Sequence, residues 1–166
     1  MASRYFGLAI VVLLFTTACG KDNPTTPSSN GSSGSGSSGG SSGGAATPNS
    51  LSARIDGTLW NAAQINASVS SGVLTIASSD NTTGIGLVLP AATGAYTTSG
   101  AAVFTAQLSI SGNAWFAGTA VGSGNVTVTS ISTNSAAGTF SLTFIPVSSA
   151  TVGNKTVTEG SFNVKW

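Results

Sequence analysis

From Leu51 onward, apolar and polar residues alternate with a period of two. In "VFTAQLSIS" (103–111), Phe104, Ala106, Leu108 and Ile110 fall on one face, and Thr105, Gln107, Ser109 and Ser111 on the other. "TFSLTF" (139–144) repeats the pattern with Phe140, Leu142 and Phe144, and "SFNVKW" (161–166) with Phe162, Val164 and Trp166. A strand sends successive side chains to opposite faces, so this alternation predicts antiparallel strands with one side in a core and the other in water. After Leu51, no stretch long enough for a helix places apolar residues at helical spacing.

Turn signals cut the alternation into short runs. Asp56-Gly57 in "ARIDGTLW" is a strong two-residue hairpin signal. "SSG" (70–72), "SDNTTG" (79–84), "SGN" (111–113), "GSGN" (122–125) and "TNSAAG" (133–138) are further turn candidates. Strands are predicted near 52–55, 58–60, 63–70, 73–78, 84–89, 101–111, 114–120, 125–132, 138–146 and 157–166, roughly nine or ten in all. Ile131 breaks the face set by Val126 and Val128, which calls for a bulge. Pro90 should end its strand or put it at an edge. The expected fold is all-β: an antiparallel β-sandwich with mostly hairpin connections, the alternative being an up-and-down, lipocalin-like barrel. A domain of this size buries roughly two-thirds of its unfolded surface, enough for stability without disulfides.

The first fifty residues follow a different pattern. Arg4 precedes an apolar run from Tyr5 to Phe15, and Thr16-Thr17-Ala18 leads into Cys19, the single cysteine. Tyr5 to Ala18 spans 14 residues. As a helix that is roughly 21 Å, short of a hydrocarbon core of about 30 Å, so a processed signal fits better than a membrane span. Small residues before a cysteine, then Gly20 and a Ser/Thr/Gly-rich tail, resemble the lipobox of bacterial lipoproteins. Thr16 stands where that pattern usually has Leu. The resemblance implies cleavage before Cys19 and acylation of its thiol. It also implies a lipid-anchored place in the bacterial cell envelope, with Gly20 in place of Asp favouring the outer membrane. Two or three acyl chains anchor firmly where one is marginal. "SSNGSSGSGSSGGSSGG" (28–44) then holds only Ser and Gly apart from Asn30. Such a composition predicts a tether, and its "GSGSSG" (34–39) lacks the strand and helix that a dinucleotide fingerprint needs. The expected organisation is a lipoprotein signal peptide (1–18), a lipidated Cys19 with a Ser/Gly-rich linker (19–50), and an all-β domain (51–166).

The domain carries a resemblance of its own. "ARIDGTLWNA", "GNVTVTSISTNSAAGTFSLTF" (124–144) and "VTEGSFNVKW" are similar to a family of uncharacterised bacterial lipoproteins known only as a domain of unknown function. It implies a small secreted all-β domain that opens on an Asp-Gly hairpin with Trp and ends on a pair of Gly-x-Phe strands. No catalytic residues come with it.

Composition narrows the chemistry. Charged residues are 5% of the chain, net charge is +1, and the five Lys/Arg are scattered, which gives no positive stripe for nucleic acid. The absence of histidine removes Ser-His-Asp and Cys-His systems and HExxH zinc sites. Beyond Asp22 the carboxylates are Asp56, Asp80 and Glu159, far apart in sequence. Asp56 is expected to serve its turn, and Lys155 and Glu159 to sit solvated beside a loop. No enzyme activity, cofactor or metal is expected. Trp60 and Trp166 alternate with apolar partners and are assigned to the core. Trp115 and Phe116 are adjacent, so one must face outward, and the pair is the candidate exposed aromatic binding site. The expected partners are a membrane, through the lipid anchor on Cys19, and a protein or glycan of the envelope. The expected function is a non-enzymatic binding or structural module, the alternative being a barrel-type carrier of a small hydrophobic ligand.

Overall fold

Asp56 and Gly57 both take positive φ, 48° and 82°, the twist with which a two-residue turn matches its flanking strands. The same pair of angles recurs at Ser71-Gly72 (50°, 75°) and Ser111-Gly112 (49°, 82°), so three of the expected turns are tight hairpins of one kind. The computed structural model that carries them describes residues 49–99, 103–147 and 151–166. The expected signal segment, Cys19 and the expected linker as far as residue 48 lie outside the described residues.

The described residues are all-β. The strands are β1 (Ser50–Ile55), β2 (Thr58–Asn61), β3 (Gln64–Ser70), β4 (Val73–Ser79), β5 (Thr83–Pro90) and β6 (Gly94–Thr97). They continue with β7 (Thr105–Ile110), β8 (Asn113–Ala117), β9 (Ser123–Ile131), β10 (Ser135–Pro146) and β11 (Lys155–Lys165). Each expected strand is present, and β6 is an addition. β5 ends at Pro90, as a residue without a backbone donor requires. β7 begins at Thr105 rather than 101. β8 stops at Ala117 because Gly118 turns back, its N–H donating to Val121 O at 2.7 Å. The turn expected at 122–125 therefore comes a few residues earlier.

Hydrogen-bonded neighbours run β2-β1-β11-β10-β8-β7-β5-β4-β3, with β9 and then β6 attached to β10. This is one curled antiparallel sheet with two walls. β10 joins the walls: its residues 136–143 pair with β9, and Ile145 and Pro146 run on to Phe116 and Trp115 of β8. On the opposite side the chain itself turns the corner. Ala62 N–H donates to Leu51 O in β1, and the next residue, Ala63, donates to Ser79 O in β4. β2 and β3 end the path of paired strands, and β3 comes close to β11 without pairing with it.

The core lies between the walls. Phe104, Phe144, Phe162, Leu51, Leu74, Leu87 and Leu108 are among its fully buried side chains. Its centre is a reciprocal pair on β10 and β11. Gly138 stands opposite Phe162, and Phe140 opposite Gly160. Each ring covers the other strand's glycine, with ring centroids 6.5 Å apart. A Cβ on Gly160 would lie 2.5 Å from the Phe140 ring and 2.6 Å from Phe140 O, and one on Gly138 would meet the Phe162 ring and Thr127 O. The two Gly-x-Phe segments are therefore one packing unit. Two bulges adjust the six-stranded wall. Thr129 is the extra residue between the pairs Ala137–Ser130 and Gly138–Val128, which returns Ile131 to the core side as its position in the sequence required. The second bulge is at Glu159, with φ 51°, where register slips against both β1 and β10.

Candidate functional site

The register of β7 with β8 decides which way the adjacent aromatics point. Leu108, fully buried, is opposite Trp115, and exposed Gln107 is opposite Phe116. Trp115 therefore faces inward and is 5% exposed, which corrects the expectation that it could stand in an exposed aromatic site. Its indole N–H donates to Gly153 O at 2.8 Å, and Lys155 Nζ sits 5.6 Å from the ring centroid. Phe116 is the outward member. It is half-buried, packed closely enough over Gly118 that a Cβ there would meet its ring at 2.7 Å. Trp60 is buried as expected. Trp166 is only half-buried against the core, its indole N–H donating to Thr133 O at 3.1 Å.

Lys155 opens β11 directly after the loop residues 151–154, whereas Glu159 lies inside the strand rather than beside a loop. Both belong to β11, and both form ion pairs to β1 and its turn. Lys155 Nζ donates to Asp56 Oδ2 at 2.8 Å. The other oxygen, Asp56 Oδ1, accepts from Thr156 N at 2.9 Å and Thr156 Oγ1 at 3.2 Å. The Lys155 hydrogen bond and then the Thr156 N–H hold the Asp56 carboxyl below its ordinary range, against a smaller opposing effect of burial. Arg54 Nε donates to Glu159 Oε2 at 2.9 Å, and Arg54 Nη1 to Gly57 O at 3.1 Å.

Asp80 serves a different turn. Its Oδ1 accepts from Thr82 N at 2.7 Å and Thr83 N at 2.6 Å, closing the β4–β5 connection as an Asx turn. Its Oδ2 accepts from the Trp60 indole N–H at 2.7 Å, tying β2 to that turn. The Thr82 N–H is the largest cause of its lowered pKa, with Thr83 and Trp60 adding to it while burial opposes. Among the described residues, no three His, Cys, Asp or Glu side chains come together as a metal site.

The outer face of the wall β2-β1-β11-β10-β9-β6 lines up Asn61, Ser52, Ser161, Thr139, Thr127 and Ala95 in register. Ser52 Oγ and Ser161 Oγ are 3.1 Å apart. At about 4.8 Å between strands, the row is roughly 24 Å long and carries hydroxyl and amide groups without charge. Alternation alone points to polar residues here. The straight row depends on pairing between strands distant in sequence. Cys19, the expected lipidation site, lies outside the described residues.

No curated protein and no solved structure matches this chain. A family model does: residues 47–164 match the Domain of unknown function (DUF6252), a span that covers every strand but the last residue of β11, and the chain belongs to that family.

Proposed function

We propose that this chain is a bacterial cell-envelope lipoprotein, anchored through acylated Cys19 and probing its surroundings on a Ser/Gly tether. Its β-domain acts as a non-enzymatic binding or structural module. One observation carries the non-enzymatic part: each carboxylate of the domain is engaged in holding the fold. Asp56 joins the first hairpin to β11, Asp80 closes a turn and holds Trp60, and Glu159 pairs with Arg54 at a bulge. With no histidine in the chain, these carboxylates are the first groups that general acid–base chemistry would draw on. The uncharged hydroxyl and amide row supports a binding role, since it offers hydrogen bonds to an envelope glycan or protein without electrostatic preference. A single cluster of buried aromatic and aliphatic side chains occupies the interior, which favours this reading over a carrier of a hydrophobic ligand.

The experiment is a thermal and urea comparison of Asp80→Asn, Asp56→Asn and Glu159→Gln. Structural carboxylates lose stability when neutralised. Asp80→Asn should cost about 1–3 kcal/mol, because the Trp60 N–H then faces an amide donor or a reoriented turn. Glu159→Gln should cost under about 1 kcal/mol, because its ion pair is exposed. A rise in stability at Asp56 or Asp80 would overturn the reading, since groups held for catalysis are commonly kept at a cost to the fold.

A further inference from the structure

The chain passes from one wall to the other at Ala62 and Ala63, the two residues between β2 and β3. Ala62 N–H donates to Leu51 O at 2.9 Å and Ala63 N–H to Ser79 O at 2.9 Å, so the crossing is bonded to both walls. Few side chains support it. Across β2 and β3 Trp60 alone is buried, and its neighbour Leu59 is 61% exposed. Segments with few buried apolar contacts lie at the low end of local stability and open ahead of the core.

Asp80 stands where this crossing meets β4. It follows Ser79, the acceptor of the Ala63 N–H, and its Oδ2 accepts the Trp60 indole N–H at 2.7 Å. Its Oδ1 accepts from Thr82 N and Thr83 N, which fixes the turn that carries it. One carboxylate thus fastens the buried side chain of the corner to a closed turn of the opposite wall. Its charge is isolated. From Gly57 to Asn154 the sequence has no other charged residue, so β2, β3, β4, β5 and β7 contribute none. β1, which pairs with β2, carries Arg54 opposite Leu59, and Arg54 is bound to Glu159 and Gly57 O. β11, which comes close to β3, carries Lys155 and Glu159, held in the two ion pairs, and exposed Lys165.

We propose that Asp80 is an acid-released latch: ionised, it holds the β2–β3 corner shut, and on taking up one proton it lets the corner open while the rest of the domain stays folded. Hydrogen bonds to an ionised acceptor are about twice as strong as those between neutral groups. Protonation weakens all three at once, and no neighbouring charge replaces the one lost. Those same bonds hold the Asp80 carboxyl below its ordinary range. The latch is therefore shut above about pH 4 and releases as pH falls through the folded value. Opening frees the Trp60 ring from its place at the edge of the core.

The test is amide exchange by NMR on the full chain in mild non-ionic detergent. It compares about pH 6 with about pH 3, either side of the ordinary aspartate range, after correction for the intrinsic effect of pH on exchange. Protection at Ala62 and Ala63 should fall roughly tenfold to a hundredfold at the lower pH, the difference between charged and neutral hydrogen bonds. Protection in the β10–β11 ladder should hold. The Trp60 indole N–H resonance should move through a single titration step. Asp80→Asn should show the low protection already near neutral pH and lose the pH response at both alanines. Trp60→Phe keeps an aromatic ring without the donor, and should weaken protection at Ala63 near neutral pH and shrink its acid response. Asp56→Asn should leave that response as in the parent. If Asp80→Asn fails to fold, the parent and Trp60→Phe decide. Equal loss of protection at the corner and in the β10–β11 ladder overturns the proposal, since acid would then act on the whole domain. So does a folded Asp80→Asn whose alanines keep the parent's pH response, or a parent whose alanines are protected alike at both pH values.

Discussion

The reciprocal Gly-x-Phe pair of β10 and β11 permits a quantitative test of how the core is built. Burial of the Phe162 ring contributes about 1.5–3 kcal/mol, and truncation to Ala should cost about 3–5 kcal/mol because a cavity remains. With an m-value of about 1.5 kcal/mol per molar urea, that is a midpoint shift of about 2–3 M, a large share of a stability of ~5–15 kcal/mol. Gly138→Ala acts from the other side of the same contact. Its Cβ meets the Phe162 ring, which can be displaced, and Thr127 O, which is fixed in the ladder, so overpacking should cost about 1–3 kcal/mol. In the double variant the ring is gone and part of the collision goes with it. The double should therefore be more stable than the sum of the singles by about 1 kcal/mol, the remainder being the contact with Thr127 O. Lys165→Ala, exposed on the same strand, should shift the midpoint by less than about 0.5 kcal/mol equivalent. Equilibrium urea unfolding of the four variants decides the matter. Additive losses at Gly138 and Phe162, or a Phe162→Ala shift no larger than that of Lys165→Ala, would refute the packing unit.

Two further outcomes are expected. Cys19→Ser should abolish incorporation of an alkyne-labelled fatty acid and move the chain out of the membrane fraction, while the domain's melting temperature stays unchanged. Persistent membrane association would sink the anchor. The second concerns acid. The folded pKa values of Asp56 and Asp80 lie below their unfolded ones, so the stability they supply is complete above the unfolded aspartate value, near pH 4, and is lost as pH falls through the folded values. Melting temperature should be level from pH 7 to about 5 and fall below about 4, and Asp56→Asn with Asp80→Asn should flatten that fall.

What could be read along the chain was whatever neighbouring residues determine. The Asp56-Gly57 hairpin was legible because a two-residue turn needs positive φ twice, and Asp-Gly accepts it. The bulge near Ile131 was legible because three core-side valine and isoleucine positions could not share one face without an extra residue, which proved to be Thr129. β6 was not legible. Its four residues turn a single large side chain, Tyr96, to the core, and a period of two cannot be seen in one apolar position. The orientation of Trp115 was hidden for another reason. Adjacency says that Trp115 and Phe116 oppose each other, but the inward member is chosen by Leu108 across the β7–β8 ladder, and then by Gly153 O, 38 residues away. The fit of Phe140 over Gly160 and of Phe162 over Gly138 is likewise a matter of register between distant strands.

The few charges of this domain show how register and chemistry meet. The bulge at Glu159 interrupts the ladder between β1 and β11, leaving a slip between the pairs Ser52–Ser161 and Arg54–Thr158. At that slip Glu159 takes positive φ, and its side chain is bonded to Arg54. At the end of the same pair of strands, Asp56 N–H donates to Thr156 O, and its carboxylate accepts back from Thr156 N and Lys155 Nζ. Both ion pairs thus lie where backbone pairing of β1 with β11 is interrupted or ends. Exposed pairs of this kind contribute little energy each, about 0–1 kcal/mol. Their value lies in register, since a one-residue slip of β11 would turn Phe162 and Val164 out of the core. The same strand that these charges position brings Phe162 onto Gly138.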